Sequence, residues 1–143
     1  MDQRYFRRAL IAVVFCVLAL AQVGCATRGG VQTDATAESL PAVQSLVDSA
    51  HTASAAGRFD DAAADLERAL RLEPQNAGLW RELAMVRRDQ GQWDQAVSLA
   101  LRSNSFASEE LQKENWGFIA ECRRALGDEE GALEAEGRAE AIR

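Results

Sequence analysis

Histidine is nearly missing from this chain: His51 stands alone among 143 residues. One imidazole cannot build a histidine-based metal set. It also makes a Ser/His/Asp nucleophile unworkable, because only Asp48, one turn back, is near enough in sequence to orient it. CxxC, HExxH and the glycine loop that cradles phosphate are absent as well. No enzymatic activity, cofactor or metal is therefore expected. Aromatic residues make up only 6% of the chain and β-branched ones are sparse, so no segment reads as a strand. Basic residues are outnumbered, 16 against 22 acids, for a net charge of −6. A surface of that sign repels nucleic acid and anionic headgroups, so neither is an expected partner.

Apolar runs are missing everywhere except at the start. Arg4, Arg7 and Arg8 precede an uninterrupted apolar stretch from Ala9 to Ala21, followed by Val23, Gly24 and Cys25. A basic head, a short apolar run and small residues at its end describe a secretory signal. Three outcomes are open: cleavage before Cys25, cleavage after Ala21, or an uncleaved anchor. All three put the remainder outside the cytoplasm, since the arginines mark the inner side. Residues 1–24 contain one acid and three arginines, so the rest keeps 21 acids against 13 bases, net −8. Cys16 leaves with the signal, and Cys122 is read as a small buried apolar residue on a helix.

Residues 26–38 carry one large apolar side chain, Val31, too little to offset the entropy of ordering them. They read as a linker, and the segment 25–40 is assigned to tether and linker together. Ser39 is read as a cap and Pro41 as a first-turn residue, where its missing N–H costs nothing. Beyond it Ala, Leu, Glu and Arg dominate, all strong helix formers. Breaks at Gly57, 73–78, Gly91, 104–108 and Gly127 divide the remainder into six helices, 41–55, 59–72, 77–89, 93–104, 109–125 and 128–142. Acid pairs at the helix starts, such as Asp60–Asp61 and Glu129–Glu130, complement the positive end of the helix dipole.

Aligning the breaks reveals a repeat. Gly57, Gly91 and Gly127 are 34 and 36 residues apart, and each is followed at five residues by Ala62, Ala96 or Ala132. Ala50, Ala84 and Ala120 precede them by seven. Leu46, Trp80 and Trp116 precede them by eleven, and Trp93 follows Gly91 by two, so the tryptophans fall at packing positions. Two antiparallel helices approach closely only where small residues meet, and such a hairpin must stack on another to bury its second face.

The segment "GRFDDAAADLERALRLEPQN", Gly57 to Asn76, resembles the tetratricopeptide repeat: Gly, aromatic, acidic pair, Ala, then Ala69, Leu70 and Pro74. The resemblance implies an all-α fold of stacked antiparallel hairpins. About three units, near 43–76, 77–108 and 109–142, would form a short right-handed superhelix over 41–143. The third unit departs from the pattern, with Glu129 in place of the aromatic and helix-weakening Gly131 and Gly137. Ala132, Ala135, Ala139 and Ile142 form one stripe of its last helix, with no later segment to cover them. That stripe is an expected edge for a homo-oligomer.

The front end resembles the lipobox of bacterial lipoproteins, except that Gln22 stands where Leu is usual. This implies lipidation at Cys25 and a membrane tether. Ala26 after the cysteine resembles outer-membrane sorting and a periplasmic location. In the repeat family, the first helix of each unit lines a partner groove. By matching position that groove contains Val47, His51 and Ser54, then Arg81, Met85, Arg88 and Asp89, then Glu114, Gly117, Glu121 and Arg124. The paired arginines 87–88 and 123–124 are read either as complements to helix ends or as a strip for an acidic segment. The implied function is a non-enzymatic periplasmic adaptor binding another envelope protein or peptide segment, as an activator of a penicillin-binding cell-wall synthase. The alternative is a pilotin-like or self-assembling structural repeat.

Overall fold

The computed structural model describes residues 35–142, with side chains from residue 40. The signal segment, Cys25 and most of the linker lie outside the described residues. Six helices follow in order: α1 (Ala35–Ala55), α2 (Phe59–Leu72), α3 (Ala77–Asp89), α4 (Trp93–Asn104), α5 (Glu109–Ala125) and α6 (Glu129–Ala141). Each lies against its neighbour in sequence, and no strand occurs among the described residues.

Five helices match their expected bounds within a residue. The first does not: it begins at Ala35 and takes residues 35–40 from the segment read as linker. Alanines at 35 and 37 and Glu38 extend the helix backwards. Pro41, expected in the first turn, therefore lies inside the helix and leaves one carbonyl four residues back without its N–H.

The glycine breaks are three copies of one device. Gly57, Gly91 and Gly127 adopt φ of +70°, +74° and +79°, a region that side-chain-bearing residues rarely occupy. The next amide then reaches back five residues: Arg58 to the Ala53 carbonyl at 2.9 Å, Gln92 to Arg87 at 2.8 Å, Asp128 to Arg123 at 2.9 Å. This six-to-one bond closes each helix end as a Schellman turn. At the starts, the side chains of Asn76, Ser108 and Asp128 accept from the Leu79, Leu111 and Gly131 amides, supplying partners that the first turn lacks.

The small-residue notches meet as the repeat requires. Ala62, Ala96 and Ala132 are fully buried, and Ala50, Ala84 and Ala120 are at most 1% exposed. Leucines fill the first core around Leu66 and Leu83, and Ile119 and Phe118 anchor a second around α5. Leu99 on α4 packs against both.

The stripe on α6 is covered in its first half only, and Ala139 and Ile142 stay half-buried. Ala132 and Ala135 are buried in the second core, because α6 turns its notch toward α5 as α2 and α4 do toward their partners. The exposed large apolar side chain of α6 is Leu133. Gly131 also differs from its sequence reading. Its amide donates to Asp128 at 2.9 Å and its carbonyl accepts from Arg123 at 3.0 Å. A Cβ there would collide with both side chains, so the glycine permits a contact as well as weakening a helix.

Candidate functional site

The first helices of the three units, α1, α3 and α5, are joined across one face by polar contacts. His51 on α1 meets Glu82 on α3, Nε2 to Oε2, at 2.7 Å. Arg81 on α3 lies 3.3 Å from the Glu114 carboxylate on α5, and the Arg88 guanidinium lies 5.5 Å from the Phe118 ring centre.

Five of the expected groove residues surround one cavity of about 180 Å³ between α1 and α3: His51, Ser54, Met85, Arg88 and Asp89. Glu82 completes its wall and Leu66 lies at its base. Met85 is half-buried, presenting an adaptable apolar contact beside ionic neighbours. The other expected residues are elsewhere. Val47 is half-buried against the first core. Glu121 is exposed on α5 and Gly117 is half-buried.

The arginines do not form a free basic strip. Arg88 pairs with Asp89 at 2.9 Å, and Arg81 is held by Asn115 and Glu114. Arg124 turns to α6, where it bonds Glu136 and lies 3.7 Å from Glu129. Those carboxylates hold its guanidinium pKa above the ordinary value, the Glu136 hydrogen bond being the largest cause. The arginines near the ends of α3 and α5 thus serve helix ends and internal pairs.

One cluster escaped the sequence reading. Asn115 is fully buried at the junction of the second and third units. It accepts from Arg81 Nη1 at 2.8 Å and donates from Nδ2 to Ser103 Oγ and Asn104 Oδ1, each at 2.8 Å. The Ser103 hydroxyl in turn donates to the Ala77 carbonyl at 2.8 Å. The available signal was positional: twelve residues before its glycine, the second unit has buried Leu79 and the third has Asn115. The tryptophans are half-buried against the cores, and Trp80 Nε1 donates to the Pro74 carbonyl at 2.9 Å.

Cys122 is buried beneath this face, and burial pushes its thiol up to about 11 against a partial opposing effect of Arg88. Among the described residues no group of His, Cys, Asp and Glu could hold a metal. No helix of the described residues is long and apolar enough to cross a membrane.

No curated relative matches the chain. The family model described as tetratricopeptide repeat matches residues 53–104. The globular C-terminal domain of P. aeruginosa LpoP is similar in structure, with a TM-score of 0.66 and 36% sequence identity. The match covers 69% of this chain and 95% of that domain. A sequence likeness of that extent, on a fold whose glycine turns and alanine notches recur unit by unit, makes the chain a member of the tetratricopeptide repeat family, whose units mediate protein–protein contacts.

Proposed function

We propose that this protein is a non-enzymatic adaptor of the bacterial cell envelope. It is tethered to the membrane by lipid on Cys25, on the periplasmic face, and binds another envelope protein through the face of α1, α3 and α5. Among such roles, activation of a penicillin-binding cell-wall synthase is the one the LpoP match favours. The observation that carries the reading is the extent of that match, 95% of the LpoP domain at 36% identity. The cavity between α1 and α3 supports the choice of face, since it gathers Met85 and the His51–Glu82 pair. The self-assembling alternative keeps only Ala139 and Ile142 of its stripe, since Ala132 and Ala135 are buried.

The test is a glycan-polymerisation assay of a penicillin-binding synthase from the same envelope, with the full-length chain reconstituted in lipid. The chain is expected to raise the rate. His51→Glu, which sets a like charge against Glu82, and Met85→Gln are each expected to reduce that effect by about tenfold, equivalent to about 1.4 kcal/mol of binding. An unchanged synthase rate, with no complex detected, refutes the synthase as client. Activation that survives both substitutions refutes the face.

A further inference from the structure

A second cavity is lined by other residues than the proposed groove. It is an open trough of about 780 Å³ between α2 and α4, floored by α3. Its apolar lining is Leu70, Pro74, Trp80, Leu83 and Leu99.

The corresponding place in the third unit is built differently, with an ion-paired cluster beside its tryptophan. There Arg138 lies over the Trp116 ring at 4.8 Å and bonds Glu134 at 2.7 Å, while Arg123 approaches Glu134 from α5 at 3.7 Å. Glu134 thus bridges two arginines, of which Arg138 lies over the tryptophan. Seven residues after Gly91, the matching position is Ser98, whose hydroxyl bonds the Asp94 carbonyl and cannot bridge. Without the bridge, Arg87 pairs with Glu67 on α2 at 2.8 Å, and both line the trough. Arg102, the counterpart of Arg138, lies nearer Phe106 at 4.9 Å than Trp80 at 5.7 Å. A serine in place of a glutamate leaves the trough open.

We propose that this trough docks an amphipathic α-helix of a partner protein, with an acid in its first turn and a base in its last. The walls are helices whose backbone groups are already bonded, so an extended segment lying here would find no strand edge to pair with. A helix brings its own bonds and presents an apolar stripe to the floor. The charges at the ends set its direction. Arg71 closes the trough at the α2 C-terminus and Asp94 at the α4 N-terminus, and neither has an ionic partner among the described residues. An acid over Arg71 and a base over Asp94 is also the order that a helix's own dipole prefers. The docked helix therefore runs antiparallel to α2 and α4.

The test titrates the full-length chain in lipid nanodiscs with two synthetic peptides of about four helical turns. Both carry leucines at i, i+3, i+4 and i+7. One has Glu in the first turn and Lys in the last, and the other has them exchanged. The first is expected to bind about fivefold more tightly, in keeping with two exposed ion pairs. Arg71→Glu combined with Asp94→Lys is expected to invert the preference. Ser98→Glu, which copies the third unit's own bridge and so suits the fold, is expected to abolish binding of both. Equal binding of the two peptides, binding that survives Ser98→Glu, or no binding of either overturns the proposal. Peptide binding lost on His51→Glu instead moves the site to the proposed groove and also overturns it. Self-association of the chain that vanishes with Ser98→Glu, with neither peptide bound, assigns the trough to a second copy.

Discussion

Cys122 shows what burial does to one side chain in this fold. Its thiol is fully enclosed, and a thiolate there would lose its hydration, so the folded pKa rises from the ordinary 9.0 to about 11. The folded protein holds the proton that the unfolded chain releases. This contribution to stability is thus complete below pH 9.0 and disappears as pH climbs through about 11. Native protein at pH 8 is expected to resist iodoacetamide at Cys122 and to react after unfolding in urea, as read by mass spectrometry. Modification of the native chain at the rate of a free thiol refutes the burial. Gly91 is the complementary case, where the backbone alone decides. No atom lies within 4 Å of where its Cβ would stand, so space is not limiting, but φ of +74° is. Gly91→Ala is expected to cost about 1–2 kcal/mol in urea unfolding from the left-handed backbone alone. A neutral result excludes that strain. Both residues were legible in the sequence. The glycine was marked by its spacing from Gly57 and Gly127, and Cys122 by its place on a helix without a disulfide partner.

Helix existence and bounds followed from the same spacing, and the misses have local causes. At α1 the expectation trusted Pro41 as a start signal, while helix-forming residues upstream placed it in the interior. At α6 the stripe divides, Ala132 and Ala135 being buried while Ala139 and Ile142 stay half-buried. Asn115 was invisible to a reading that searched for motifs, because a polar residue at an apolar repeat position has no motif. Its role yields a prediction that opposes the repeat consensus. Asn115→Leu restores the apolar type found at Leu79, so a purely hydrophobic account expects a gain in stability. The structure gives the opposite sign. Arg81, Ser103 and Asn104 would each lose a partner in a buried junction, at a cost of about 1–3 kcal/mol. Urea denaturation distinguishes the two, and a variant as stable as the wild type removes any energetic importance from the network.

For the candidate sites, the sequence told less, and the reason lies in the array as a whole. Matching by repeat position names which residues face one side, yet which arginine is free depends on the carboxylates that neighbouring units supply. Arg87 turns to α2 while Arg123 turns to α6, although both hold the same place in their units. The same unevenness governs how the molecule comes apart. Stability of stacked units is close to a sum of unit and interface contributions, so the weakest interface sets where unfolding begins. Between the first and second units lies the open trough, and Leu99 is the side chain that packs against both cores. Between the second and third lies the Asn115 network. Leu99→Ala is therefore expected to cost about 2–3 kcal/mol and to loosen the first unit preferentially. Native-state hydrogen exchange is the measurement, comparing amides of Leu66 and Ala69 on α2 with those of Ile119 and Cys122 on α5. The α2 amides are expected to lose protection severalfold more than the α5 amides, with a lower urea m value as the single transition broadens. Equal loss of protection in both helices, with m unchanged, means that the three units unfold as one body and that Leu99 is an ordinary core contact.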